Sequence, residues 1–188
     1  MVTSVGDGPP DMTDPGQTID FESWDFALKL YAQPGIADAC LRLQAECSVD
    51  VMMLLMATFA AIRRGVVLTP SDIAEMDAAC RPWREQILLP LRALRTTLKT
   101  GPPPAPSDRT EKLRSRIKAA ELSAERLQNE VLAHWLAKKP PTSRAVERAD
   151  ILAVLHSLVS FALQSHRGAQ VDAKLPATIV DAALRLSA

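Results

Sequence analysis

Apolar residues recur at intervals of three and four along most of this chain, which is the spacing of one face of an α-helix. No stretch shows the strict alternation of apolar and polar residues that is typical of a half-buried strand. Alanine and leucine dominate the apolar positions, and both lose little side-chain entropy in a helix. The pattern predicts an all-α protein: a compact bundle of about five helices, then a long charged helix and two C-terminal helices.

The N-terminal part is expected to be a tail followed by two helices that meet at a corner. Residues 1–20 contain four acidic residues and no basic one, so they are predicted to be disordered. A first helix is expected to start near Asp20 or Ser23, and Pro34 and Gly35 separate it from the second. The first helix has one apolar face made of Trp24, Ala27, Leu28 and Tyr31. Trp24, Leu28 and Tyr31 of this face are expected to pack on Leu43 and on the central helix.

The segment Val51–Ile62 is apolar nearly all round and predicts the buried central helix of the bundle. Its twelve residues are too few for a membrane span, which needs about 20. The stretch Thr69–Asp72, TPSD, combines a capping hydroxyl, a proline and an acid, which predicts the start of a fourth helix that runs to about Cys80.

A fifth helix is expected over Pro82–Lys99, with a kink at Pro90 because proline lacks the backbone donor that a helix interior needs. It completes a core bundle over residues 21–100. The segment 101–107 is proline-rich and predicts a short stiff linker.

Beyond the linker, residues 108–188 are predicted to form a long amphipathic helix and two shorter helices that pack on the core. The long helix spans about Asp108 to Ala137 and carries a heptad line made of Leu113, Ile117, Ala120, Ala124, Leu127, Val131 and His134. This line is expected to pack against helices five and seven of the same chain; the alternative is a weak homodimer through the 108–137 helix. Helix seven is predicted over Ser143–Ser165, and helix eight from Pro176.

Composition and charge limit the partners. Lysine plus arginine equals aspartate plus glutamate, at 22 each, so no overall field favours nucleic acid or an anionic membrane. The N-terminus has neither the basic start nor the apolar centre of a signal peptide, and three cysteines cannot all pair with one another. Reduced thiols in the cytoplasm are therefore expected.

The sequence predicts no catalytic residue, no cofactor and no metal site. Cys40, Cys47 and Cys80 show no paired metal-ligand spacing and are interpreted as small core residues. His134 lies on the heptad line, where a structural role is expected. Because no nucleophile or base stands beside a stabilising group, we expect a protein that is not an enzyme.

One group of basic residues could form a partner surface. These residues lie at the end of the fifth helix and at the start of the long one. At the start of the long helix, positive charge opposes the helix dipole. A solvated face would explain them as well, and no aromatic residue accompanies them as in nucleic-acid sites. They are Arg92, Arg95, Lys99, Arg109, Lys112, Arg114, Arg116 and Lys118.

Three long stretches carry a resemblance to a known family. They read WDFALKLYAQPGIADACLRLQAECSVDVMMLLMATFAA, PWREQILLPLRALRTTLK and IKAAELSAERLQ. In their order and spacing the chain resembles, over about residues 21–128, the short bacterial proteins called domain of unknown function 2390. The stretch MMLLMATFAA departs from the more aromatic third helix usual in that family. The resemblance implies an all-α fold of cytoplasmic type and carries no catalytic residue with it.

Two functions follow as hypotheses. The first is a cytoplasmic protein–protein interaction module that presents helices five and six to an unknown protein partner, as a monomer or a weak homodimer. The alternative is a binding protein for a small molecule or acyl chain, or an enzyme, with a pocket around the Met-rich central helix, where Met52, Met53 and Met56 could line an adaptable groove.

Overall fold

The computed structural model describes residues 14–164, 172 and 174–187. Within these ranges the chain is all-α and contains no strand, as the apolar spacing predicts. The helices are α1 Pro15–Tyr31, α2 Ile36–Cys47, α3 Val51–Arg64, α4 Pro70–Trp83, α5 Leu89–Thr100, α6 Asp108–Leu136, α7 Arg148–Leu163 and α8 Lys174–Arg185.

The central helix is α3, as predicted. Every residue from Met52 to Ala61 is buried, and α1, α2, α6, α7 and α8 all pack around it. Its ends are set locally: the Asp50 side chain accepts hydrogen bonds from the amides of Met52 and Met53, and Gly65 closes the helix at φ 64°. No helix in the described ranges is both long and apolar enough to cross a membrane.

The helix α1 begins earlier than expected. It starts at Pro15, where Asp14 accepts a hydrogen bond from the amide of Gly16, so the prediction of disorder is wrong for residues 15–20. Residues 1–13 of the predicted tail lie outside the described residues. Tertiary contacts explain the difference: Asp20 is buried and forms an ion pair with Arg126 of α6. Because Arg126 is more than 100 positions away from Asp20 in sequence, no local pattern around Asp20 indicates this contact.

The predicted packing face of α1 is only partly right: Ala27 is buried and Trp24 packs against the core, but the predictions for Leu28 and Tyr31 are wrong. The buried side of α1 carries Phe26 and Leu30, and Phe26 meets Phe59 of α3 edge to face at 5.7 Å between ring centroids. Leu28 and Tyr31 are exposed instead of packing on Leu43. Because α1 packs on α3 and α6 together, burial follows the line between these two neighbours rather than the most apolar stripe.

The helices α4 and α5 form one continuous rod, joined by a π-helical turn at Arg84–Leu88. Pro82 lies inside α4 and does not open a helix, which corrects the predicted boundary. In the turn, the amide of Leu89 bonds to the carbonyl of Arg84, five residues back. This wide turn directly precedes Pro90, whose missing amide removes an ordinary helical bond, so the irregularity expected at Pro90 takes the form of a π turn.

The long helix α6 begins at Asp108, close to its predicted start, with a capping box between Ser107 and Thr110. It packs mainly on α1 and α5 and also contacts α4 and α3. The expected packing on helix seven is therefore wrong: α1 takes that place. Only part of the heptad line is covered, since Ile117 and Ala124 are buried.

The last two helices, α7 and α8, also pack on α3. The helix α7 starts at Arg148, later than predicted, and packs on α3, α4 and α8. The predicted end of helix seven, Ser165, lies outside the described residues. The helix α8 starts at Lys174 and packs on α2, α3 and α7.

Candidate functional site

The basic residues that were predicted to form one surface fall into two sets, one ion-paired and one not. Arg92 donates hydrogen bonds to Glu121 and Glu125, each at 2.9 Å, and Arg95 pairs with Glu121. Arg114 is paired with Glu111 at 2.8 Å on the same helix. These three arginines are therefore held by carboxylates of their own chain.

The other five basic residues of that surface are exposed: Lys99, Arg109, Lys112, Arg116 and Lys118. None of them forms an ion pair with another residue in the described ranges. Arg109 lies in the first turn of α6, where the helix dipole disfavours positive charge, and Lys112 and Arg116 follow in the next two turns. Asp108 and Glu111 share the first turn of α6 with Arg109, and Glu111 is paired with Arg114.

Large apolar side chains that remain exposed fall into two groups on either side of the α5–α6 pair. The first group lines a cleft and consists of Leu28, Tyr31, Leu41, Leu89 and Leu122. The second group lies outside the cleft and consists of Ile87, Leu94, Leu113, Leu127 and Val131. Phe21 belongs to neither group and lies under the guanidinium of Arg126.

We call the second group the outer face. Ile87 and Leu94 are seven residues apart on the π turn and α5, with the half-buried Leu91 between them. On α6, Leu113 and Leu127 are fourteen residues apart and Val131 follows one turn later. Residues seven apart share a side of a helix, so each of these two directly packed helices carries an exposed apolar stripe.

The cleft has a volume of about 1440 Å³ and is lined by residues from α1 to α7. Trp24, Leu28 and Tyr31 from α1 line it, together with Leu89 from α5 and Leu122 from α6. The face of α1 that the sequence predicts to be apolar is thus used, but as a wall of a cleft. Met52 and Met53 at the start of α3 also line it, which is where the alternative hypothesis expects a pocket.

Charged side chains in the lining of the cleft are equal in number. The acidic ones are Asp50, Asp77, Glu85, Glu121 and Glu125, and the basic ones are Arg81, Arg84, Arg92, Arg95 and Lys118. Most of them are already paired with one another. The cleft therefore has no net formal charge.

The most buried pairing in the cleft is centred on Arg84. Its guanidinium donates to Asp50 at 3.0 Å and to Asp77 at 2.6 Å, and the three side chains are only 17%, 8% and 7% exposed. Burial lowers the pKa of Arg84, but the two carboxylates outweigh it and raise the pKa above its usual range. Gln128 of α6 donates to Asp50 at 2.7 Å and fastens this group to the long helix.

Two carboxylates one helical turn apart in the cleft are shifted in opposite directions. For Glu121, burial raises the pKa, but hydrogen bonds from Arg95 and Arg92 outweigh it, and the pKa is lowered. For Glu125, burial dominates and the pKa is raised. Burial also raises the pKa of the nearby Tyr31 hydroxyl. The difference between the glutamates arises because Glu121 accepts from two arginines and Glu125 from one.

The cysteines do not supply a reactive or metal-binding group. All three are buried free thiols, and burial raises the pKa of Cys40 and of Cys80 to about 12. A thiol with such a pKa is a poor nucleophile at neutral pH. Within the described ranges, no group of three His, Cys, Asp or Glu side chains is placed to hold a metal ion.

The network around Arg84 was missed from the sequence. Asp77 and Arg84 are seven residues apart, but Asp50 is 34 residues away from Arg84 and Gln128 is 78 from Asp50. Only the pair Asp77 and Arg81, at the spacing of one helical turn, has a local signal. His134, expected to be structural, bonds to the carbonyl of Glu130 and lies 3.3 Å from the carboxylate of Asp14, beside the start of α1.

Comparison with known proteins identifies a family. Residues 22–132 match the model of the family described as "Protein of unknown function (DUF2390)". The matched segment extends from α1 into α6, so it contains both the cleft walls formed by these helices and the outer face. No curated protein and no solved structure matches the chain.

Proposed function

The chain belongs to the DUF2390 family, whose description names no activity, and from the surfaces of its own helices we propose that it is a protein–protein interaction module. The surface it presents is the outer face of α5 and α6. Its role in this proposal is to bind another protein without catalysing a reaction, in the reducing cytoplasm that suits three free thiols.

The observation that carries this proposal is the exposure of the outer face. Its five large side chains are 38–50% exposed, although they come from two helices that pack directly on each other. No residue of α5 is buried. Contiguous exposed apolar surface is typical of a site of association, whereas single exposed leucines are common and need no explanation.

The charges beside the outer face favour an acidic partner. Arg109 and Arg116 lie four residues before and three residues after Leu113, so they flank the same stripe of α6. Carboxylates of a partner would compensate these charges and the unfavourable dipole at the start of α6. We therefore propose that the partner contributes an amphipathic helix whose apolar stripe is bordered by aspartate and glutamate.

The experiment uses a photo-reactive phenylalanine analogue placed at Leu127 or Leu113 on the outer face, or at Leu122 in the cleft, in cells of the native host. Leu122 is a matched control, because it lies on the same helix and is 52% exposed against 47% for Leu127. We expect a discrete cross-linked protein from positions 127 and 113 but not from 122. A designed acidic amphipathic peptide should also bind, as measured by fluorescence anisotropy, and should lose affinity as salt rises.

Three results would contradict the proposal. Cross-linking from Leu122 alone would move the interaction to the cleft. A product at twice the mass of the chain would assign the outer face to a homodimer, which is the other oligomeric state that the sequence leaves open. Equal binding of acidic and basic peptides would show that Arg109 and Arg116 do not select the partner.

A further inference from the structure

We propose that His134 is a pH-dependent switch: its protonated ring holds the first turn of α1 on the last turn of α6, and its neutral ring releases that turn. The inference concerns the contact between these two helix ends. It depends neither on the outer face nor on the cleft, and it rests on the geometry around the imidazole ring.

The first turn of α1 lies directly against this ring. Oδ1 of Asp14 caps α1 by accepting from the amide of Gly16 at 2.9 Å, and Oδ2 of the same carboxylate lies 3.3 Å from Nε2 of His134. Gly16 is buried, and a Cβ added to it would stand only 2.5 Å from Cδ2 of the ring. The ring therefore occupies the space that a side chain at position 16 would need.

The second nitrogen of the ring fixes where the protons are. Nδ1 of His134 lies 2.8 Å from the carbonyl oxygen of Glu130. Because a carbonyl oxygen can only accept, Nδ1 must carry a proton. In the neutral ring, Nε2 then turns a lone pair towards the carboxylate of Asp14, so two acceptors face each other. In the charged ring, Nε2 also carries a proton and donates to Asp14, so only this form satisfies both contacts.

The direction of the switch follows from the charges around the ring. The hydrogen bond to the Glu130 carbonyl and the carboxylate of Asp14 outweigh the effect of burial, so the pKa of His134 is raised above its ordinary value of 6.5. A pKa that is raised on folding gives stabilisation that is fully present below pH 6.5 and is lost as the pH rises through the folded pKa. The first turn of α1 is thus held at lower pH and released at higher pH.

Other charged groups near these helix ends do not replace this contact. The side chain of Glu130 is acidic and also favours the protonated ring. Lys138, four residues after His134, is exposed, so solvent screens its positive charge. Charged side chains where α1 and α4 pack on α6 are already paired: Asp20 with Arg126, and Lys139 with Asp72 and Glu75.

The test is native-state hydrogen exchange of the full-length protein, read at the amide of Thr18. This amide donates to the carbonyl of Asp14 at 3.2 Å, so it reports the first turn of α1. The protection factor, corrected for intrinsic exchange, should fall about two- to fivefold between about pH 5.5 and about pH 8.5. The effect is small because the side chains of His134 and Asp14 are 42% and 41% exposed. The fall should coincide with the titration of the His134 ring followed by NMR.

Three variants should each remove this fall for a different reason. His134→Gln removes the titrating ring. Asp14→Ser keeps an oxygen that can cap α1 but removes the carboxylate, and in this variant the ring should also titrate at lower pH. Gly16→Ala removes no titratable group, but its Cβ displaces the ring, although alanine itself favours a helix. His156→Gln, at an exposed position of α7, is the control and should keep the fall.

The proposal is overturned by any of three outcomes. Protection of the Thr18 amide that stays constant or rises with pH would contradict the predicted direction. A fall that persists in His134→Gln would assign the effect to another group. An unchanged titration of the His134 ring in Asp14→Ser would show that the ring does not hold the carboxylate. Circular dichroism checks that every variant keeps the helical content of the parent protein.

Discussion

The cleft side and the outer side of the α5–α6 pair are built from the same residue types, leucine and arginine, with different consequences. On the cleft side, Arg92 and Arg95 are partly buried and held by Glu121. On the outer side, Arg109 and Arg116 are exposed and have no ion pair with another described residue. Whether an arginine on α5 or α6 is ion-paired and partly buried, or exposed, therefore depends on the helix that packs beside it.

The two sides should therefore respond differently to substitution. The charges of Arg84, Asp50 and Asp77 in the cleft form part of the folded structure, because each compensates another that is largely buried. Charges on the outer side are solvated and contribute little to folding. Substitutions made in pairs, one on each side, test this contrast.

The largest effect is expected from Arg84→Met. It leaves Asp50 and Asp77 buried without their shared partner, so the free energy of unfolding should fall by about 3–5 kcal/mol. The measurement is urea denaturation at pH 7. Arg116→Met is the matched control on the outer side and should change the free energy of unfolding by no more than about 0.5 kcal/mol. Similar losses in both variants would mean that the cleft network is not more important for stability than a surface charge.

The next effect concerns two members of the heptad line. Ile117 is buried, so Ile117→Ala should lower the free energy of unfolding by about 2–5 kcal/mol. Leu127 is half-exposed, and Leu127→Ala should cost no more than about 0.5 kcal/mol. Thermal unfolding followed by circular dichroism measures both. A large loss in Leu127→Ala, together with a change of molecular mass in solution, would show that the outer face is covered by another copy of the chain.

The smallest effect separates the two glutamates of the cleft. At pH 7, Glu121→Gln should lower the free energy of unfolding by about 1–3 kcal/mol, because it weakens the charged hydrogen bonds of two arginines. Glu125→Gln should leave it unchanged or raise it by up to about 1 kcal/mol, because it removes a carboxylate whose pKa is raised mainly by burial.

The pH dependence of these two variants follows from the signs of the pKa shifts. The pKa of Glu121 is lowered on folding, so its stabilisation is present above the ordinary value of 4.5 and is lost as the pH falls through the folded pKa. The pKa of Glu125 is raised, so its cost is present above the folded pKa and is relieved as the pH falls towards 4.5. Urea titrations from pH 7 to pH 3 test this, and parallel curves for the two variants would contradict it.

Local sequence patterns were enough to predict both ends of α3, the start of α4 and the start of α6. TPSD predicts the start of α4, where Thr69 and Asp72 form a capping box, and Gly35 and Gly65 take the positive φ angles that the helix ends require. The central position of α3 also followed from its apolar composition, and the resemblance to the DUF2390 family is confirmed over residues 22–132. These features depend on residues within a few positions of each other, so the sequence carries them directly.

Only the tertiary structure decided which face of each helix is covered. The stripe of Trp24, Leu28 and Tyr31 became a wall of the cleft, and the heptad line of α6 was only partly buried, because α6 packs on both α1 and α5. Asp50, Arg84 and Gln128 meet from three distant segments. Periodicity says which residues share a face of a helix, but the neighbour that covers that face is chosen by packing between elements far apart in the chain, for which one sequence has no local signal.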